Sequence, residues 1–179
     1  MKDITNNEML FVLAVFKSPE TDYNANSIAK HLKITSMGAL KIAKRLEKEN
    51  ILTSRKMGKA KFYKVSLNDY TKQYIIFLLK REAEQSAVYI KRWINEARKI
   101  KNADSAVLFG SILRKEDAKD IDLLLITSES KFQKLKKEIE NINLINTKKI
   151  HPLYQTKQDL IKNIKKQDKP ILNAIKGII

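Results

Sequence analysis

Two short apolar runs, 106–109 and 123–126, enclose the residues that most constrain how this chain folds. Gly110 and Ser111 follow the first run at once, while Asp120 and Asp122 lead into the second. Side chains at positions i and i+2 of a strand project from the same face. Two carboxylates held that close repel each other unless a cation lies between them. The pattern therefore predicts two neighbouring strands with a divalent metal site where they meet.

The residues around the aspartates suit a phosphate-bearing ligand. Mg²⁺ prefers hard oxygen ligands, often one or two carboxylates together with substrate phosphates and water. Gly110 lets a phosphate approach the backbone closely, and Ser111 adds a hydroxyl and an amide donor at a predicted helix start. Arg114 lies one helical turn further on and can pair with a phosphate through two hydrogen bonds. Together these residues predict a site for a phosphate and a metal ion.

The stretch from Leu108 to Ile126 resembles the DNA polymerase beta-like nucleotidyltransferase superfamily, and its minimal members most of all. Such members often accompany winged helices or act in toxin–antitoxin systems. The resemblance implies a small mixed sheet with helices, and transfer of a nucleotidyl group from a nucleoside triphosphate (NTP) to an acceptor. It also implies that Gly110 and Ser111 hold the triphosphate, that Asp120 and Asp122 are catalytic and bind Mg²⁺, and that Arg114 is the basic residue many members have there.

A third carboxylate, which active members commonly carry on a later strand, has no counterpart in the sequence. The next predicted strand, 147–154, offers Lys149 and His151 on the face where an acid is expected. His151 has two interpretations: a general base, since its ordinary pKa suits that role, or a strand-end residue before Pro152. The sequence therefore predicts a nucleotide-binding fold and leaves catalysis open.

The first 68 residues have a different pattern, typical of a winged helix-turn-helix. Apolar spacing predicts helices over 7–16, 26–32 and from about 36 to 49, followed by strands over 51–55 and 61–65. Between the two strands Gly58 can supply the positive φ of a hairpin turn. Residues 5–66 resemble winged-helix regulators, in which the third helix enters the DNA major groove.

The third helix is predicted to bury Leu40, Ala43 and Leu46 and to turn its other face outward. A helix fits the major groove, and a basic hairpin beside it can contact phosphates. The predicted DNA-binding residues are Ser36, Met37, Lys41, Lys44 and Arg45 on the helix, with Arg55, Lys56, Lys59 and Lys61 on the hairpin. The alternative is a protein-interaction module whose basic face is merely solvated.

Residues 69–100 contain neither proline nor glycine, and apolar side chains recur at nearly heptad spacing. These apolar residues are Ile76, Leu79, Ala83, Ala87, Ile90, Ile94 and Ala97. The pattern predicts one long helix, interpreted either as a connection between the domains or as a dimerisation helix.

Composition supports these assignments and excludes some others. The 36 Lys and Arg residues exceed the 20 Asp and Glu residues by 16, so the chain favours polyanionic partners. The absence of cysteine excludes disulfides and thiolate zinc sites. Without a signal-peptide pattern or a long apolar run, we expect a cytoplasmic protein that contacts no membrane.

The predicted fold class is α+β, with a winged helix over 1–68, a connecting or dimerisation helix over 69–103 and a nucleotidyltransferase-like domain over 104–179. The predicted function is a DNA-binding protein whose second domain binds NTP–Mg²⁺ and, if active, transfers a nucleotidyl group. The alternative is a winged-helix transcription regulator whose second domain is inactive and serves sensing, dimerisation or partner binding. Double-stranded DNA is the expected partner, and the pattern is also compatible with NTP, a second copy of the chain and a small helical protein.

Overall fold

The computed structural model describes residues 4–179, a mixed α+β chain with two small sheets. The chain divides into two compact units, one ending at Leu79 and the other beginning at Lys80. The division falls inside a helix, α4 (Asp69–Gln85). Among the described residues, no helix combines the length and the apolar character needed to cross a membrane.

The first unit has the element order of a winged helix-turn-helix. Its elements are α1 (Asn6–Lys17), β1 (Tyr23–Asn24), α2 (Ala25–Leu32), α3 (Ser36–Lys48), β2 (Leu52–Met57) and β3 (Ala60–Val65). The sheet is antiparallel in the order β1-β3-β2, and β2 and β3 form the hairpin, which we call the wing. Gly58 has a φ of 59° at the tip of the wing, as the turn requires.

Side-chain caps explain where the first helices begin. Thr5 and Glu8 form a reciprocal capping box at the start of α1. Asn24 accepts two backbone N–H bonds at the start of α2, and Thr35 accepts the N–H of Gly38 at the start of α3. Each cap satisfies backbone donors that a helix end would otherwise leave unpaired.

The buried stripe of α3 differs from the predicted one by one position. Ala43 and Leu46 are fully buried, as expected, but the third core residue is Ala39, and Leu40 is only half-buried. The spacing of 39, 43 and 46 follows the i, i+4, i+7 row of a helix, whereas the prediction used i, i+3, i+6. Ala39 is therefore part of the core.

Tyr74 on α4 places its hydroxyl in the first unit without a hydrogen-bond partner in the described chain. Burial, and after it the charge of the neighbouring Glu49, raise the pKa of this phenol from 10.0 to about 12. The unfolded chain therefore releases this proton about two pH units before the folded chain does.

We expect Tyr74 to make the first unit less stable at alkaline pH. A raised folded-state pKa gives a contribution that is complete below pH 10 and is lost as pH rises towards about 12. Urea unfolding of wild type and Tyr74→Phe at pH 7 and pH 11 measures it. The variant should match or exceed wild type at pH 7, because it removes an unbonded buried hydroxyl, and should lose less stability at pH 11. Equal losses of stability in wild type and Tyr74→Phe between pH 7 and pH 11 would show that Tyr74 is not the cause.

The predicted single helix over 69–100 is wrong, because the structure has two. α4 ends at Gln85, and α5 (Val88–Ala97) begins after an extended Ala87 with a ψ of 154°. The hydroxyl of Ser86 donates to the carbonyl of Glu82, the kind of local bond that competes with a continuing helix.

The seven apolar residues of the predicted seam do not share one surface. Ile76 is exposed, while Ile90 is buried and Ile94 and Ala97 pack against the core of the second unit. The seam therefore belongs to two helices with different surroundings.

The second unit is built on a three-stranded mixed sheet. Its elements are α5, β4 (Ser105–Phe109), a short 3₁₀ helix (Gly110–Leu113), β5 (Ile121–Ile126), α6 (Glu129–Ile145), β6 (Ile150–Gln155), α7 (Lys157–Lys165) and α8 (Lys169–Ala174). The strand order is β4-β5-β6, with β4 antiparallel and β6 parallel to β5.

Side chains of β5 alternate between two hydrophobic layers. Ile121, Leu123 and Leu125 pack in a cluster with residues of α5 and α6. Leu124 and Ile126 pack on the other face with residues of α8. Asp122 shares the parity of Leu124, so it lies on the α8 face, at the end where β5 begins.

Candidate functional site

The site forms where β4 ends and β5 begins. The sheet register pairs Phe109 with Asp122, so Gly110 lies directly beside that carboxylate. Gly110 has a φ of 82°, and a Cβ placed there would be 2.0 Å from the Oδ2 of Asp122. Glycine is therefore required at this position both for its backbone conformation and for the space that the aspartate occupies.

Ser111 and Arg114 extend the site along the loop. The helix start predicted at Ser111 lies in a four-residue 3₁₀ helix, Gly110–Leu113. The Ser111 carbonyl accepts the N–H groups of Arg114 and Lys115, and the Ser111 side chain is half-buried. The exposed guanidinium of Arg114 has no protein partner within residues 4–179, which leaves it free to pair with an anion.

Asp120 lies immediately before β5 and faces the neighbouring strand. Its Oδ2 is 3.8 Å from the Nδ1 of His151, and both side chains are at least half exposed. In the parallel register Asp122 is the direct partner of His151. The sequence-predicted Asp120, Asp122 and His151 thus lie at the same edge of the sheet, at neighbouring positions where β5 and β6 begin.

The two carboxylates at this edge are donors of the kind that Mg²⁺ prefers. Asp120 and Asp122 offer hard carboxylate oxygens, and the second of them occupies the space beside the bare Cα of Gly110. Within the described residues, no three His, Asp or Glu side chains gather into a set that holds a metal unaided. Substrate phosphates and water would supply the remaining ligands, as is usual for Mg²⁺.

Lys149 does not take part in the site, although the sequence placed it on the same strand. Its ammonium donates to the backbone carbonyls of Asn143 and Asn146, which ties the end of α6 to the start of β6. His151 is therefore the polar side chain of β6 that stands opposite Asp122, at the position expected for a third acid.

The predicted DNA-binding residues divide into exposed side chains and side chains held in ion pairs. Ser36, Met37, Lys41 and Lys44 on α3 and Arg55, Lys56 and Lys59 on the wing are exposed. Lys61 is exposed too, but its ammonium is 3.7 Å from Glu47. α3 and the wing thus present basic side chains to solvent.

Arg45 is engaged inside the first unit. Its guanidinium donates to Glu8 and, at 2.9 Å, to Glu49. The hydrogen bond to Glu49 raises the pKa of Arg45, and the charge of Glu8 raises it further. The i, i+4 spacing of Arg45 and Glu49 is the feature from which the sequence could have predicted their ion pair.

The second unit coincides with the part of the chain that matches a known family. Residues 89–176 match the model of the family described as Polymerase beta, Nucleotidyltransferase. Among curated proteins, none has a sequence that matches this chain significantly.

Solved structures of two bacterial regulators show a distant likeness. The adhesin competence repressor AdcR of Streptococcus pyogenes is 15% identical with a TM-score of 0.40, over 55% of this chain and 69% of that one. ZitR of Lactococcus lactis, a zinc-responsive MarR family member, is 10% identical with a TM-score of 0.33, over 55% and 74%. At TM-scores this low, the function of these regulators cannot be transferred to this chain. The family match is the firmer finding: residues 89–176 match the polymerase beta nucleotidyltransferases, and Gly110, Asp120 and Asp122 lie inside the matched range.

Proposed function

We propose that the second unit binds an NTP with Mg²⁺ at the edge formed by Gly110, Asp120 and Asp122, and transfers its nucleotidyl group to an acceptor. The observation that most supports this proposal is the contact between Gly110 and Asp122. It joins the phosphate-binding and metal-binding parts of the sequence pattern, within residues that match a nucleotidyltransferase family.

Each residue at the edge has a role in this proposal. Gly110 and Ser111 receive the triphosphate, Asp120 and Asp122 hold the metal, and Arg114 pairs with a phosphate. A metal ion held by Asp120 and Asp122 would neutralise phosphate charge and lower the pKa of the attacking hydroxyl. The acceptor oxygen bonds to the α-phosphorus, the bond to the pyrophosphate oxygen breaks, and the hydroxyl proton leaves to water. Positioning and charge stabilisation by these residues supply most of the rate.

Calorimetric titration of ATP, GTP, CTP and UTP, each with Mg²⁺, tests the site. Wild type should bind at least one of them saturably, and only with the metal present. Asp120→Ala/Asp122→Ala should show no such binding, because it removes both metal ligands. Asp117→Ala, an exposed acid of the same loop, is the matched control and should bind like wild type. Failure of every NTP to bind wild type would overturn the proposal.

A second candidate is a DNA-binding regulator whose second unit binds nucleotide without turnover, for sensing, dimerisation or partner binding. The presence of His151 where active family members commonly have an acid favours it. Transfer of labelled nucleotide to protein or nucleic acid decides between the two. Metal-dependent labelling that is lost in Asp120→Ala/Asp122→Ala supports the enzyme, and saturable NTP binding without labelling supports the regulator.

We also propose that the first unit binds double-stranded DNA through α3 and the wing. We expect Lys41→Gln/Lys44→Gln and Lys56→Gln/Lys59→Gln each to weaken binding and to reduce the slope of log K against log salt by about 2, since each lost phosphate contact removes about 0.9. Fluorescence anisotropy at several salt concentrations measures both quantities. Lys72→Gln, an exposed α4 lysine paired with Asp69, is the control. Slopes unchanged from wild type would contradict a DNA-binding role for these faces.

A further inference from the structure

A cavity lies in the nucleotidyltransferase-like unit, and its lining contains none of the candidate-site residues. Its volume is about 290 Å³, at the lower end of the range for small-molecule sites. It opens between the start of α5, the 3₁₀ helix, the following loop and the segment before β6. Its lining residues are Val88, Tyr89, Arg92, Trp93, Ile112, Glu116, Thr147 and Lys148.

The cavity holds two cations that no carboxylate neutralises by direct contact. The Arg92 guanidinium donates to the side-chain oxygen of Asn146 at 3.5 Å, and the Lys148 ammonium donates to the backbone carbonyl of Glu116. Neither cation forms an ion pair within residues 4–179. The Glu116 carboxylate also lines the cavity, so the lining carries two cations and one carboxylate; Arg92 additionally interacts electrostatically with Glu96, which lies outside the lining.

Aromatic rings form another part of the wall. The Arg92 guanidinium carbon is 5.7 Å from the centre of the Trp93 ring, which is buried, while Tyr89 is half-buried. An arginine held over an indole keeps N–H groups available for an anion. The partly open ring of Tyr89 is a surface on which a planar base can stack.

The cavity lies on the opposite face of the sheet from Asp122. Trp93 and Ile112 belong to the same hydrophobic cluster as Ile121, whereas Asp122 and Leu124 point to the α8 face. A ligand bound here is therefore not the one held by the two aspartates.

We propose that this cavity binds a nucleoside monophosphate unit, with its phosphate between Arg92 and Lys148 and its base against Tyr89. Arginine matches the geometry of phosphate oxygens, and lysine adds a point charge beside it. The unit is either a free nucleotide or the 5′-phosphorylated end of a single strand, since both offer the same chemistry. This binding needs no metal and does not depend on the NTP site.

Trp93 makes binding directly measurable, because it is the only tryptophan in the chain. Its emission is followed in EDTA during titration with AMP, GMP, CMP, UMP and adenosine, and with 5′-phosphorylated and 5′-hydroxyl oligonucleotides. At least one monophosphate or the phosphorylated strand should give a saturable change. The matching ligand without phosphate should bind at least about tenfold more weakly, because it makes no charged hydrogen bonds. A response to the 5′-phosphorylated oligonucleotide alone identifies the end of a nucleic-acid strand as the ligand. A response to the free monophosphate identifies the nucleotide as the ligand.

Two variants assign the response to the cavity. Arg92→Gln/Lys148→Gln should weaken binding at least about tenfold, and Tyr89→Leu at least about fivefold. Lys136→Gln/Lys137→Gln on α6 removes two exposed charges away from the lining and should bind like wild type. Equilibrium dialysis repeats the comparison for any variant whose tryptophan emission itself changes, and circular dichroism verifies folding.

Several outcomes would overturn the proposal: no saturable binding in EDTA, equal binding with and without the phosphate, or binding that Arg92→Gln/Lys148→Gln leaves unchanged. Asp120→Ala/Asp122→Ala should retain binding in EDTA, and loss of binding there would place the ligand at the aspartates instead. Failure of the proposed NTP site appears only in the titrations with Mg²⁺, so the two proposals fail separately.

Discussion

Gly110→Ala should weaken NTP–Mg²⁺ binding by about 100-fold, the upper range for a residue that orients a metal ligand, although glycine supplies no side-chain ligand. A Cβ at this position would lie 2.0 Å from Oδ2 and 2.9 Å from Cγ of Asp122, so the whole carboxylate must move. If Asp122 holds the metal as proposed, its displaced carboxylate would no longer point at the site. Calorimetry under the conditions used for wild type measures the loss.

The same substitution also strains the backbone, and a second glycine separates the two effects. Alanine at a φ of 82° costs about 1–3 kcal/mol of stability. Gly58 has a φ of 59°, and a Cβ added there would meet no atom within 4 Å, so Gly58→Ala strains the backbone without displacing a neighbour. Gly58→Ala should therefore lower stability and leave NTP binding intact. NTP binding retained by folded Gly110→Ala would show that the Asp122 carboxylate does not depend on this contact.

The closeness of Gly110 and Asp122 could be predicted from the sequence because strand register is local here. Two apolar runs joined by a short polar loop pair as neighbouring strands, and this brings Gly110 to Asp122. The position of His151 opposite Asp122 could not be predicted from local pairing, because it depends on a parallel crossover through α6. Periodicity predicted the strand but not its register.

The helix break at Ser86 shows where periodicity fails. Apolar residues keep their spacing through Ala87, and neither proline nor glycine marks the end of α4. At the break the Ser86 hydroxyl bonds to the carbonyl four residues earlier, a local interaction that apolar spacing does not reveal. The cavity beside Trp93 was missed for a related reason, because its lining residues come from segments about 60 residues apart.

Arg45→Gln should lower the stability of the first unit more than it changes DNA binding. The substitution leaves the Glu8 carboxylate, whose side chain is 7% exposed, without its cation. Breaking a fully buried pair costs about 3–5 kcal/mol; because Arg45 is 21% exposed, we expect about 2–3 kcal/mol. Urea unfolding measures this loss, and Lys44→Gln, which removes the charge of an exposed neighbour, should lose less than about 0.5 kcal/mol.

A double-mutant cycle shows whether the effect comes from the ion pair. In a Glu8→Gln background the cost of Arg45→Gln should fall well below its cost in wild type, since only the exposed carboxylate of Glu49 is then left unpaired. DNA affinity, measured where each variant is folded, should fall for Lys44→Gln and change little for Arg45→Gln. If Arg45→Gln instead weakened DNA binding as much as Lys44→Gln and left stability unchanged, Arg45 would be a DNA contact. Arg45 is thus a structural residue if its substitution lowers the stability of the first unit, and a DNA contact if the substitution lowers DNA affinity instead.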